Sequence, residues 1–141
     1  MKFQSRKDAF FIIVTFSIIA LLIWVLSEII PGDLGWIDLS LAVIILLLVV
    51  FIVWMYFDTS YILNEKELSY KSGPLRGKIE INLITEVVKD KTLWVGLKPA
   101  TARNGLIIRY KKYNEIYISP KTNDLFIAKL LEFNSEVNIV E

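Results

Sequence analysis

The sequence predicts a membrane α-helical hairpin followed by an α+β domain, in which antiparallel strands form a small barrel or sandwich capped by a C-terminal amphipathic helix. Two long uncharged runs near the N-terminus predict the hairpin. Short segments of alternating polar and apolar residues predict the strands, and apolar residues at helical spacing predict the cap. With 141 residues, 55% of them apolar, and a mean hydropathy of +0.52, the chain is too hydrophobic for an ordinary soluble protein.

The hairpin is predicted within residues 1–57, where residues 9–27 and 39–57 each form a run of 19 residues without a charge. At about 1.5 Å per residue, each run as a helix nearly matches the roughly 30 Å hydrocarbon core of a bilayer. We therefore expect transmembrane helices over about 9–30 and 37–57. A cleaved signal peptide is the alternative for the first run, but the run is too long and no small-residue cleavage site follows it.

The basic residues around the two helices predict their orientation. The connection between the helices carries the turn signal Pro31-Gly32 and no Lys or Arg, whereas six basic residues flank the other ends. These residues are Lys2, Arg6, Lys7, Lys66, Lys71 and Arg76. The positive-inside rule then places both termini in the cytoplasm. Since neither run contains an ionisable residue, the hairpin is interpreted as an anchor rather than a pore.

Residues 58–141 are predicted to form a separate cytoplasmic domain. The strands are expected at 61–63, 68–72, 78–82, 106–110 and 115–119. Residues 86–103 allow a strand near Val87 or one over 92–97 before a loop. An amphipathic helix over 122–134 carries Phe126 and Leu130 in its apolar stripe. Its start lies either at Ser119-Pro120 or at Thr122.

Several of these segments carry a resemblance to a known family. They are residues 61–64, 78–84, 102–110 and 118–121, together with Phe126 and Leu130. These segments resemble the YyaB-type family of bacterial proteins with a pleckstrin-homology-like (PH-like) domain, whose members carry two transmembrane helices ahead of the domain. The resemblance covers nearly the whole chain. It implies a PH-like domain on the inner side of a bacterial cytoplasmic membrane, and it supplies no catalytic or ligand residues.

The composition excludes several kinds of chemistry. Without His or Cys, the chain has no Ser-His-Asp or Cys-His nucleophile, no Cys or His metal ligand and no disulfide. The segment 72–79 has three residues between its glycines and Ile79 after the lysine, so it is not a Walker A loop. The carboxylates of the predicted domain show no paired spacing. We therefore expect no enzyme, no cofactor and no metal site.

Charge distribution provides the functional hypothesis. Residues 89–121 contain eight basic residues against two acidic ones. The candidate contacts to an anionic surface are Lys71, Arg76, Lys78, Arg103, Arg109, Lys111 and Lys112. Solvated turn charges are the alternative reading, and nucleic acid is not an expected partner. The sequence thus predicts a non-enzymatic, membrane-anchored PH-like module that binds a protein partner or anionic lipid. The alternative function is a subunit of a larger membrane complex, held through its hairpin.

Overall fold

The computed structural model describes residues 1–30 and 35–141, and the predicted turn at Pro31-Gly32 lies outside the described residues. Two long helices are present, α1 over Ala9–Ile29 and α2 over Trp36–Phe57. Both are long and apolar enough to cross a membrane, and none of their residues is buried. A helix that is apolar on all sides requires an apolar surrounding, so α1 and α2 are candidate transmembrane helices.

A short strand precedes the helices and belongs to the domain that follows them. This strand, β1 (Lys2–Gln4), pairs antiparallel with β2 (Ser60–Leu63). Phe3 is 5% exposed, and its ring meets Phe126 edge-on with 5.1 Å between the centroids. We expected the domain to begin at residue 58 and residues 1–57 to form the hairpin unit. In the structure, the segment ahead of α1 packs with residues 58–141 through the pairing of β1 with β2 and the contact of Phe3 with Phe126.

The first sheet has the strand order β1-β2-β3-β4, where β3 spans Glu67–Ser72 and β4 spans Leu75–Glu80. All three pairings are antiparallel. The predicted strand at 78–82 begins earlier than expected and ends at Glu80, because Ile81–Leu83 form a 3-10 turn. Ile79 and Ile81 are both buried, as the alternation predicted.

The second sheet has the order β7-β6-β5-β8. Its strands are β5 (Ile84–Lys91), β6 (Gly105–Tyr110), β7 (Asn114–Ile118) and β8 (Asn138–Val140). Of the two strands that the sequence allowed within residues 86–103, the one near Val87 is present, as part of β5. Residues 92–104 are irregular. The sequence did not predict β8, which pairs parallel to β5.

Helix α3 (Asn123–Phe133) caps the two sheets, and its N-cap is Thr122, the second of the two predicted starts. Ser119 is buried at the end of β7 instead of starting the helix. Phe126 and Leu130 are fully buried in one core cluster with residues from the inner faces of both sheets. The domain is therefore a sandwich of two sheets with a terminal helix, as predicted, and the sheets are not closed into a barrel.

The two ends of the domain lie at different distances from the helices. The helix-proximal end contains the junctions with α1 and α2, residues 101–104 and the β3–β4 turn, where a Cβ on Gly73 would lie 2.9 Å from Met55 of α2. The helix-distal end contains residues 64–66, the 3-10 turn and residues 111–113. These segments meet there because the Lys111 backbone N–H donates to the Leu83 carbonyl.

Candidate anionic-surface site

A polar clamp joins the start of α1 to the domain. The Asp8 carboxylate accepts hydrogen bonds from the Phe11 backbone at 2.8 Å and from the Arg103 backbone at 2.9 Å, and it pairs with the Arg103 Nε at 3.1 Å. The Arg6 guanidinium donates to the carbonyls of Arg103 and Asn104, at 2.6 and 2.8 Å. These bonds fix the direction in which α1 leaves the domain.

The electrostatics of the clamp favour a charged Asp8. Burial acts to raise the pKa of this carboxyl, but the hydrogen bonds from the Phe11 and Arg103 backbones and the nearby Arg103 guanidinium outweigh burial. The pKa of Asp8 therefore lies below its ordinary value. An ionised Asp8 also interacts favourably with the positive end of the α1 helix dipole.

A buried hydroxyl cluster lies directly behind the clamp. The Ser5 and Ser119 hydroxyl oxygens are 2.8 Å apart, and the Thr101 hydroxyl donates to Ser5 at 2.9 Å. The Tyr61 phenol donates to the Pro99 carbonyl at 2.5 Å and accepts from the Ser119 backbone at 3.1 Å. Burial raises the pKa of this phenol. The cluster ties the N-terminal segment to both sheets, so the helix-proximal end is held by many bonds at once.

Three of the predicted basic residues lie on the outer face of the first sheet. Lys71 pairs with Asp58 at 2.7 Å, which lowers the pKa of the Asp58 carboxyl, and Lys78 pairs with Glu67 at 2.7 Å. Arg76 is opposite Lys71 in the strand register and donates to the Gly73 carbonyl at 3.4 Å. Lys71 and Arg76 flank the β3–β4 turn, so they belong to the helix-proximal end.

Arg103 also lies at the helix-proximal end. Its guanidinium carbon is 4.6 Å from the centroid of the Phe10 ring on α1. Lys7 lies shortly before Phe10 in the sequence. Its ammonium is 4.1 Å from the centroid of the Phe57 ring at the end of α2. Both cations thus sit over aromatic rings at the boundary between the apolar helices and the polar domain.

The remaining predicted residues lie elsewhere. Arg109 pairs with Glu86 at 2.7 Å on the second sheet, and Lys111 and Lys112 occupy the turn at the helix-distal end. The Lys112 ammonium lies 5.5 Å from the Tyr113 ring centroid. The structure therefore does not bring the seven predicted residues together. Lys71, Arg76 and Arg103 share the helix-proximal end, Lys78 lies further along the sheet, and the other three are remote.

Sequence reasoning missed two cations that lie beside this group. Lys2 is on β1, where it shares the outer sheet face with Lys78, and Lys7 lies where the chain enters α1. Both residues contributed to the prediction of orientation, but residues 1–8 were not assigned to the domain. The alternation of exposed Lys2, buried Phe3 and exposed Gln4 is the signal of a strand, although three residues make it weak.

Hydrogen-bond donors are common at this end and on the adjoining outer face of the first sheet. Lysine, arginine and serine side chains supply hydrogen-bond donors, and within residues 1–30 and 35–141 no group of three or more His, Cys, Asp or Glu residues is arranged to hold a metal ion.

Fold and site together define a class of protein, a small PH-like domain joined by its first two strands to a pair of candidate transmembrane helices. A family model described as bacterial PH domain matches residues 59–134, and the chain belongs to this family. The chain is 32% identical over 144 residues to the Bacillus subtilis (strain 168) protein described as uncharacterized protein YyaB. The matched region covers 99% of this chain and 97% of the relative. No solved structure matches the chain. The resemblance to the YyaB-type family is thereby confirmed, and PH domains are generally non-enzymatic interaction modules.

Proposed function

We propose that this protein is a non-enzymatic, membrane-anchored interaction module whose domain, residues 1–8 with 58–141, lies against the anionic inner leaflet of the bacterial cytoplasmic membrane. In this arrangement α1 and α2 span the membrane and both termini are cytoplasmic. The observation that carries the proposal is the clamp at the start of α1. Because β1 and β2 belong to one sheet, the helix-proximal end faces the bilayer from which both helices emerge.

The charges at that end support an electrostatic contact. Exposed basic residues with no ion pair among the described residues include Lys7, Arg76, Lys91 and Lys121. Lys91 is opposite Gly105 in the sheet register, and the Lys121 backbone bonds to the Gln4 carbonyl. Each basic residue near an anionic leaflet contributes on the order of 1 kcal/mol within a Debye length of about 8 Å. Several weak contacts suffice, because the helices already hold the domain at the surface.

A fluorescence experiment on the full chain tests this proposal. Since the native sequence has no Cys, a Thr122→Cys variant labels one exposed position at the helix-proximal end, and Asn114→Cys labels the opposite end. In nanodiscs containing phosphatidylglycerol, quenchers attached to lipid headgroups should quench the label at 122 more strongly than in neutral phosphatidylcholine nanodiscs. High salt should reverse the difference, because it screens exposed charges. The label at 114 serves as the control.

Charge reversal sharpens the test. Lys91→Glu/Lys121→Glu should remove the dependence on phosphatidylglycerol, whereas Lys111→Glu/Lys112→Glu makes the same change of charge at the remote end and should preserve it. Equal quenching of the label at 122 in neutral and anionic nanodiscs would overturn the lipid contact. A protein partner would then be the better explanation of the module.

A further inference from the structure

We infer that the helix-distal end of the domain binds the same end of a second copy of this chain, so that two chains pair side by side in one membrane. The contact joins a cleft of one copy to a turn of the other. The turn, called here the basic turn, is Lys111-Lys112-Tyr113. The cleft is called here the acidic cleft, and its lining residues used below are Glu65, Lys66, Glu80, Asn82, Phe133 and Glu136.

The acidic cleft lies between the β2–β3 turn, the 3-10 turn and the C-terminal end of α3. Two hydrogen bonds of 3.0 Å fix these elements, from the Ile81 backbone to the Lys66 carbonyl and from the Asn134 amide to the Ile81 carbonyl. The cleft has a volume of about 570 Å³, and the half-buried Phe133 ring forms part of its wall. Because it is already formed in the single chain, binding requires little reordering.

The charges of the acidic cleft favour a cationic partner. Glu65, Glu80 and Glu136 are exposed, and none of them forms an ion pair with another described residue. Against these three carboxylates, the described lining includes one basic residue, Lys66. The cleft is therefore negative, and a second copy must bring positive charge to it.

The basic turn supplies the matching charge and an aromatic side chain. Lys111 and Lys112 form no ion pair in the part of the chain that the structure describes. The neighbouring carboxylate of Glu86 pairs with Arg109 instead, at 2.7 Å. Tyr113 is 85% exposed. Exposed tyrosines are common anchors of protein interfaces, so we expect this ring to enter the partner's cleft between the two ammonium groups and the carboxylates.

The positions of the cleft and the turn fit a twofold arrangement. Both border the 3-10 turn, since Asn82 lines the acidic cleft and the Lys111 backbone donates to the Leu83 carbonyl at 2.9 Å. A negative and a positive patch side by side are self-complementary, because a twofold rotation brings each patch opposite its counterpart on the other copy. Both patches belong to the helix-distal end, so the axis runs along the membrane normal and the two hairpins share one membrane. Asn82 then lies beside the axis.

The hairpins compensate for the weakness of the individual contacts. An exposed ion pair contributes little by itself, but the contact is made twice in each pair of chains. Confinement of both copies to one membrane also raises their effective concentration. We therefore expect pairing of the full chain in a bilayer.

Crosslinking of the full chain in neutral phosphatidylcholine vesicles tests the pairing, because the lipid contact proposed above plays no part in neutral lipid. The native chain has no Cys, so Asn82→Cys places one thiol per chain beside the axis, and Thr122→Cys at the other end reports random collisions. A short bismaleimide should link Asn82→Cys chains in clear excess over Thr122→Cys chains. Adding Lys91→Glu/Lys121→Glu to Asn82→Cys changes the charge at the helix-proximal end and should leave the yield unchanged.

Charge reversal in the same Asn82→Cys chain identifies the contact. Lys111→Glu/Lys112→Glu alone, or Glu65→Lys/Glu80→Lys alone, should lower the yield to the level of random collisions, because like charges then face each other. A mixture of the two variants, one carrying a size tag, should regain the crosslink. In the mixed pair the reversed turn faces the reversed cleft and the native turn faces the native cleft. Unchanged unfolding midpoints show that the variants fold, and Lys111→Gln/Lys112→Gln, which should also lower the yield, replaces a reversal that does not.

The outcomes separate this contact from the proposed function. Recovery of the crosslink in the mixture supports the pairing of chains. Failure of folded variants to recover would overturn it, as would a yield for Asn82→Cys no higher than for Thr122→Cys. Because the lipid contact lies at the other end of the domain, a failed nanodisc experiment together with recovery here would overturn the proposed function and leave the pairing intact.

Discussion

Removing the Phe3 side chain should destabilise the domain. Phe3 precedes both apolar helices in the sequence, whereas the other core residues follow them. Phe3 is 5% exposed and packs edge-on against the fully buried Phe126. Truncating a buried Phe to Ala costs about 3–5 kcal/mol, and a position on a three-residue edge strand belongs at the lower end of that range. We expect Phe3→Ala to lower the free energy of unfolding by about 3 kcal/mol.

Pulse proteolysis in urea, performed on the full chain in mild detergent, measures this change. Phe16→Ala is the matched control, because Phe16 is 59% exposed on α1 and its removal should change the stability of the domain by less than about 0.5 kcal/mol. A double-mutant cycle with Phe126→Ala should give a coupling energy of about 0.5–1.5 kcal/mol or more. If Phe3→Ala behaves like Phe16→Ala while Phe126→Ala is strongly destabilising, β1 is not part of the domain. A fragment of residues 58–141 should be less stable than the domain of the intact chain for the same reason.

Three further outcomes follow from the same structure. Asp8→Ala should destabilise the domain by about 1–2 kcal/mol through loss of a cap and an ion pair, and Asp8→Asn should cost less. Because the folded pKa of Asp8 is lowered, this contribution should be complete above about pH 4 and disappear as the pH falls through the folded pKa, as measured by urea titrations at several pH values. Gly73→Ala should cost about 1–2 kcal/mol in the same assay, because φ is +57° and a Cβ would meet Met55. In intact cells, a membrane-impermeant thiol reagent should label Asp33→Cys but spare the exposed Pro74→Cys, and the reverse pattern would refute the orientation.

Much of the fold could be predicted because its signals are local. Uncharged runs predicted α1 and α2, and strict alternation predicted β4. Short apolar segments on either side of polar turns predicted β2, β3, β6 and β7. The two missed strands, β1 and β8, have three residues each and pair with strands remote in sequence. A run of that length carries too little periodicity to be recognised. The packing of the N-terminal segment on residues 58–141 could not be predicted for the same reason.

The candidate site was less predictable than the fold. Lys71 and Arg76 are close in sequence and in space, since they flank one turn. Lys111 and Lys112 carry the same charge, but antiparallel pairing between β5 and β6 carries their turn to the helix-distal end. The sequence shows only that both pairs of residues are basic. The structure shows that one pair lies near the helices and the other pair lies far from them. Lys2 joins the outer face of the first sheet only through the pairing of β1 with β2, which the sequence did not indicate.

The pairing of β1 with β2 also constrains the order of events during biosynthesis. Lys2–Gln4 are synthesised before α1 and α2, and Ser60–Leu63 after them. At roughly 5–20 residues per second, several seconds separate the two strands on the ribosome. Until then β1 has no partner, so the first sheet closes after the hairpin has been made. A chain inserted with its N-terminus on the wrong side would lack this edge strand and leave the place of Phe3 empty. The first sheet can therefore be completed only when residues 1–8 and 58–141 lie on the same side of any membrane that α1 and α2 span.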